Sequence, residues 1–199
     1  MQRDISIDPA TRSTHAARVR WMAFAAPVRC YPLAGRLAPW CFGAAALFLA
    51  VGLYLGFVVA PTDAQQGEVY RIIFIHVPAA WMSMFIYIVM AGWCALALVL
   101  RTRLSSMMAS ALAPTGALFT VIALWTGALW GKPTWGTYWV WDARLTSMLV
   151  LFLMYLVIMV LWWSVEDPSR AGRAAAILTL VGAINLPIIK FSVDWWNTL

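Results

Sequence analysis

Apolar residues fill this chain in long unbroken blocks, and the polar and charged ones collect between them. Stretches without Asp, Glu, Lys or Arg run over residues 37–62, 72–100, 104–131, 145–165 and 174–189. A helix crosses the hydrocarbon core of a bilayer with about 20 such residues. The first four blocks reach that length. The fifth is shorter and carries Asn185 and Pro187, so its outer end is expected to be irregular, with Lys190 able to snorkel to the interface. A spanning barrel would alternate apolar and polar positions over segments of about 10 residues, and no such alternation is visible. The pattern predicts an all-α polytopic membrane protein with five transmembrane helices.

Composition agrees, since 63% of the residues are hydrophobic and 11% charged, too apolar for a water-soluble domain of this length. Charge then sets the orientation. With the N-terminus cytoplasmic, Arg3, Arg12, Arg18, Arg20, Arg29, Arg36, Arg101, Arg103, Arg170 and Arg173 lie inside, and only Arg71, Lys132, Arg144 and Lys190 lie outside. That asymmetry follows the positive-inside rule. The net charge of +6 is thus a topology signal, and the expected partner is membrane lipid rather than nucleic acid. Residues 1–36 form an Arg-rich cytoplasmic tail, in which Trp21, Met22 and Phe24 could rest on the anionic inner leaflet. The long Arg-bearing segment ahead of a long apolar block does not look like a cleavable signal. Residues 37–199 form a transmembrane domain with outer loops at 61–77 and 130–143. Pro78 stands where the second span would begin. Cys30, Cys41 and Cys94 have no CxxC or CxxCH spacing and read as structural.

Candidate chemistry sits on the outer side. Trp130 opens a segment in which Trp135, Tyr138, Trp139 and Trp141 crowd together, with Gly131 and Gly136 allowing tight turns and close approach to a ligand. An aromatic belt at the membrane interface explains such residues in general; a ligand platform explains their density here. If the segment is extended, Trp135, Thr137, Trp139 and Trp141 share a face; if helical, Trp135, Tyr138, Trp139 and Asp142 do. Either would make a flat apolar surface suited to a planar macrocycle. Asp142 is placed to cap the fourth span. His76, the only histidine outside the N-terminal tail, could ligate iron or simply hydrogen-bond at a helix start. Arg71, Lys132 and Arg144 are the outer cations available to acidic ligand groups, unless Asp63, Glu68 or Asp142 takes them. No nucleotide loop, HExxH, GxSxG or paired-carboxylate motif is present, so no enzymatic activity is expected.

The segment Trp135-Gly136-Thr137-Tyr138-Trp139-Val140-Trp141-Asp142 resembles the WGxxWxWD signature of the tryptophan-rich WWD family of haem-handling proteins. Its CcmC branch, which serves cytochrome c maturation, is also matched by Gln65-Gln66-Gly67, Arg71, Ile75 through Trp81, Asp142 through Ser147, and Asn185 through Leu199. The resemblance runs from about Trp40 onward. It implies haem b bound as cargo, with His76 as an axial ligand of the iron. Trp130, Trp135, Gly136, Tyr138, Trp139, Trp141, Asp142, Arg71 and Arg144 would line the haem site. It also implies a multi-pass location in the bacterial inner membrane with the site facing the periplasm, and delivery to a CcmE-type periplasmic haem chaperone. CcmA/CcmB-type ABC transporter subunits and a small CcmD-type membrane protein would be further partners. The family has six spans, and places a second axial histidine in an outer loop beyond the stretch matching Asp194 to Leu199. Two other readings are a haem transporter across the membrane and a structural docking subunit of an ABC-type complex.

Overall fold

The computed structural model describes residues 27–195. It divides into two units, residues 1–47 and 48–199, each described by itself. All described residues of the first unit belong to one helix, α1 (Pro27–Tyr54). Pro27 suits a helix start, where its missing N–H is no loss. The last residues of the expected tail are therefore helical, whereas Trp21, Met22 and Phe24 lie outside the described residues.

In the second unit, α1 ends in a π turn over Leu55–Val59. A surface loop follows in which the Asp63 carboxylate accepts the N–H groups of Gln65 at 2.9 Å and Gln66 at 2.7 Å. The Gln66 and Gln65 amides hold the Asp63 carboxyl below the usual carboxylate range. A 3-10 turn (Glu68–Ile72) then leads into α2 (Ile73–Leu100). The remaining helices are α3 (Arg103–Trp135), α4 (Ala143–Ser164), α5 (Pro168–Gly182) and α6 (Asn185–Trp195). Among the described residues, five helical stretches are long and apolar enough to span a membrane, α5 and α6 together making the fifth.

Both outer loops are shorter than expected. The helical path into α2 starts before Pro78, which lies inside the helix and not at its first turn. Proline there removes the N–H that would pair with the Phe74 carbonyl, a loss that membrane helices tolerate. His76 consequently sits on α2, not in a loop. Likewise α3 runs on through Lys132 and Pro133 to Trp135 and stops only at Gly136. Gly136 has a φ of 82° and donates its N–H to the Lys132 carbonyl, a left-handed cap that glycine adopts without steric cost.

The irregularity expected at the outer end of the fifth span falls just before Asn185 instead, and residues 185–195 are helical. Between α5 and α6 the helix is interrupted at Ala183 and Ile184, and the Asn185 amide donates to the Ser147 carbonyl on α4 at 2.8 Å. Lys190 places its Nζ 5.5 Å from the centroid of the Trp81 ring, a cation–π arrangement. At the opposite end α5 starts cleanly: Pro168 occupies its first turn and the Asp167 carboxylate caps Ser169.

Helices in lipid gain little from excluding water, so they associate by close packing of small side chains. The inner face of α3 has them in register: Ala109, Ala113, Gly116, Ala117, Thr120 and Ala123 are all buried. Against it lie Tyr87 and Met90 of α2 and Leu151, Tyr155 and Ile158 of α4, all essentially inaccessible. The two tyrosine rings meet edge to face at 5.2 Å. The Tyr155 hydroxyl donates to the Ser83 carbonyl at 2.8 Å. Gly116 is the residue that makes room for it, because a Cβ there would fall on the Tyr155 ring.

Candidate functional site

The C-terminus of α3, the N-terminus of α4 and the first turns of α2 surround a cavity of about 70 Å³ that is partly open to solvent. His76, Trp130, Trp135, Tyr138, Trp139, Asp142 and Arg144 line it. Most of the residues singled out in the sequence therefore converge on one space.

His76 enters from α2 and packs closely against α3 at Gly127, where a Cβ would stand 2.9 Å from its Cε1. Its Nδ1 is 3.0 Å from the Ala123 carbonyl oxygen. A carbonyl only accepts, so Nδ1 carries the proton, and in the neutral ring Nε2 holds the lone pair that could bind a metal. The Trp130 ring is 5.8 Å away in a T-shaped contact. Trp130 is itself oriented by its Nε1–H, which donates to Gln66 Oε1 at 2.8 Å. Trp135 lies 6.0 Å from Trp130 with the rings tilted by 48°.

Beyond Gly136 the chain turns back. Lys132 Nζ donates to the Gly136 carbonyl at 3.0 Å and stands 5.3 Å from the Tyr138 centroid. Thr137 donates to the Trp139 carbonyl at 3.0 Å. Trp139 and Trp141 meet edge to face at 5.4 Å. The Trp139 Nε1–H is buried without an acceptor among the described residues, an uncommon state for an indole donor. Asp142 caps α4 as expected, accepting from Leu145 N at 2.7 Å. Among the described residues Arg144 makes no ion pair; it is exposed and contributes to the cavity lining.

Two expectations need correcting. The aromatic residues do not form one flat platform, because Trp130 and Trp135 belong to α3 while Trp139 and Trp141 follow its end. The rings meet edge-on or tilted, giving a walled pocket. Arg71 is also committed elsewhere: it pairs with Glu68 and donates to the Gly56 carbonyl at 2.8 Å. Trp141 is 74% exposed, and like Arg71 and Gly136 it is not part of the cavity wall. Gly131 and Thr137, noted in the sequence for close approach and for a shared face, line the cavity, and so do Gly127, Val140 and Leu145, which were not singled out. The signal for the two glycines was their spacing of four, which places them on the same face of α3 as Ala123.

Among the described residues no group of three or more His, Cys, Asp or Glu could hold a bare metal ion. The wall instead offers one imidazole nitrogen, indole surfaces, an unpaired N–H and a guanidinium. Asp142 helps fix this wall: Asp142→Ala should lower stability by about 1 kcal/mol through the lost cap, with Asp142→Asn nearly neutral, as read by thermal unfolding in detergent.

The profile of the CcmC family, described as heme exporter protein C, matches residues 20–199. The chain is 61% identical over 173 residues to the heme exporter protein C of Bradyrhizobium diazoefficiens, an alignment covering 87% of this chain and 65% of that one. Identity to the heme exporter protein C of Escherichia coli strain K12 is 53% over 175 residues, 88% of this chain and 71% of the relative. The Paracoccus denitrificans protein of the same name is 44% identical over 174 residues, 87% of this chain and 72% of the relative. The chain thus spans slightly less than two thirds of the first of these relatives and somewhat more of the other two. With the profile matched from residue 20 to residue 199 and five helices able to span a membrane, this chain belongs to the heme exporter protein C (CcmC) family.

Proposed function

We propose that this chain binds haem b as cargo on the outer face of a bacterial inner membrane and hands it to a CcmE-type periplasmic chaperone during cytochrome c maturation. The observation that carries this reading is the unprotonated Nε2 of His76 beside a solvent-open cavity walled by Trp130, Trp135 and Trp139. In this reading the imidazole supplies an axial bond to iron. Trp130, Trp135 and Trp139 offer apolar surface to the macrocycle. Arg144 and the Trp139 Nε1–H offer donors to the propionates, the guanidinium being suited to bidentate carboxylate binding. The outward direction of the site rests on the arginine asymmetry between the two sides. CcmA/CcmB-type and CcmD-type partners would act on the loaded chaperone, so this chain holds and presents haem and catalyses no reaction of its own.

The test is a haem titration of the purified protein in detergent, followed at the Soret band. Saturable binding is expected, weakened about tenfold by Trp139→Ala, which corresponds to the roughly 1.4 kcal/mol at the upper end for one aromatic contact. Binding no tighter than to protein-free micelles would overturn the proposal.

A further inference from the structure

We infer that Thr126 and Gly127 of α3 are positioning residues that fix which nitrogen of His76 faces the cavity, an inference that rests on His76 being the haem ligand. The Thr126 hydroxyl donates its own proton to the Ile122 carbonyl at 2.6 Å. Toward His76 Nδ1, 3.2 Å away, its oxygen therefore presents a lone pair. The Ala123 carbonyl presents another at 3.0 Å. Neither group has a proton to give, so only a protonated Nδ1 satisfies the pair. A flipped ring would set a carbon against two acceptors. The arrangement also needs the ring to lie close to the α3 backbone, and Gly127 provides the room: a Cβ would come within 2.9 Å of Cε1 and 3.4 Å of Nδ1. Hydrogen bonding at the far nitrogen holds a metal-binding imidazole in orientation and raises its basicity, and loss of such a partner typically costs 10- to 100-fold in affinity.

The chain has two histidines, so nitrogen-15 labelling at histidine yields a spectrum simple enough to read in the full protein in lipid, without haem. The His76 signals are identified by their loss in His76→Ala. At a pH where imidazole is neutral, His76 is expected to show a protonated Nδ1 and a bare Nε2. Thr126→Ser should keep that pattern. Thr126→Val and Gly127→Ala should give mixed tautomers, and Thr126→Val should bind haem about tenfold more weakly. If Gly127→Ala does not fold, the Thr126 pair carries the test. A protonated Nε2 in the wild type, or Thr126→Val matching Thr126→Ser in both tautomer and affinity, overturns the positioning role. Haem affinity unchanged in His76→Ala instead overturns the ligand assignment, and the two failures are separable because the tautomer is read without haem.

Discussion

Replacing His76 with glycine is expected to lower haem retention by on the order of 100-fold, and millimolar imidazole should restore much of it. The size follows from the ligand's place in the site: loss of a mere hydrogen-bonding partner of a ligand costs 10- to 100-fold, and loss of the donor atom should reach at least the upper end. Rescue is expected because glycine leaves a space shaped for an imidazole, bounded by Gly127 and roofed by Trp130, with the Ala123 carbonyl still waiting for an N–H. The measurement is the Soret spectrum and haem content of the purified variant, with and without imidazole. Full retention in His76→Gly would remove the imidazole from the site and leave only the indole wall.

The largest structural effect is expected from a single methyl group in the middle of the bundle. Gly116→Ala would put a Cβ onto the Tyr155 ring, and that ring has nowhere to go. It is inaccessible to solvent, edge-packed against Tyr87, and tied through its hydroxyl to Ser83 on the neighbouring helix. Overpacking of this kind typically costs 1–3 kcal/mol, occasionally more, and about 3 kcal/mol is expected here because both relief routes are blocked. Thermal unfolding in detergent measures it. Adding Tyr155→Leu to Gly116→Ala should recover part of the loss by vacating the overlap. A double variant no more stable than the single one would mean that the methyl is accommodated by helix displacement instead.

The spans were legible because lipid imposes a length and a composition that a chain cannot disguise. The Asp142 cap and the break near Asn185 were legible for a related reason: each is a local polar residue with a short-range backbone task. Loop boundaries were not. The outer loop expected at 130–143 and the span start expected at Pro78 both shift, because Pro133 and Pro78 lie within helices, since tertiary packing in a membrane outweighs one missing hydrogen bond. The clustering of Trp130, Trp135, Tyr138 and Trp139 with His76 is a long-range fact, and the sequence could suggest it only through a resemblance. The edge-to-face arrangement of their rings depends on where α3 stops, at Gly136, which periodicity does not fix. Arg71 shows the same limit. Its sequence position leaves open both a ligand role and a pair with a nearby carboxylate, and Glu68 together with the distant Gly56 carbonyl takes it.

The connection between α3 and α4 is short and fastened at both ends, by the left-handed Gly136 and the Lys132 bond on one side and by the Asp142 cap on the other. Fixing a residue's backbone costs roughly 1–2 kcal/mol of conformational entropy. In this segment that cost is met on folding, before any ligand arrives. A cargo molecule would therefore spend little of its interaction energy on ordering the wall it touches. The corollary concerns departure: with no disorder of the wall to recover, release of a cargo would gain nothing from melting of this loop.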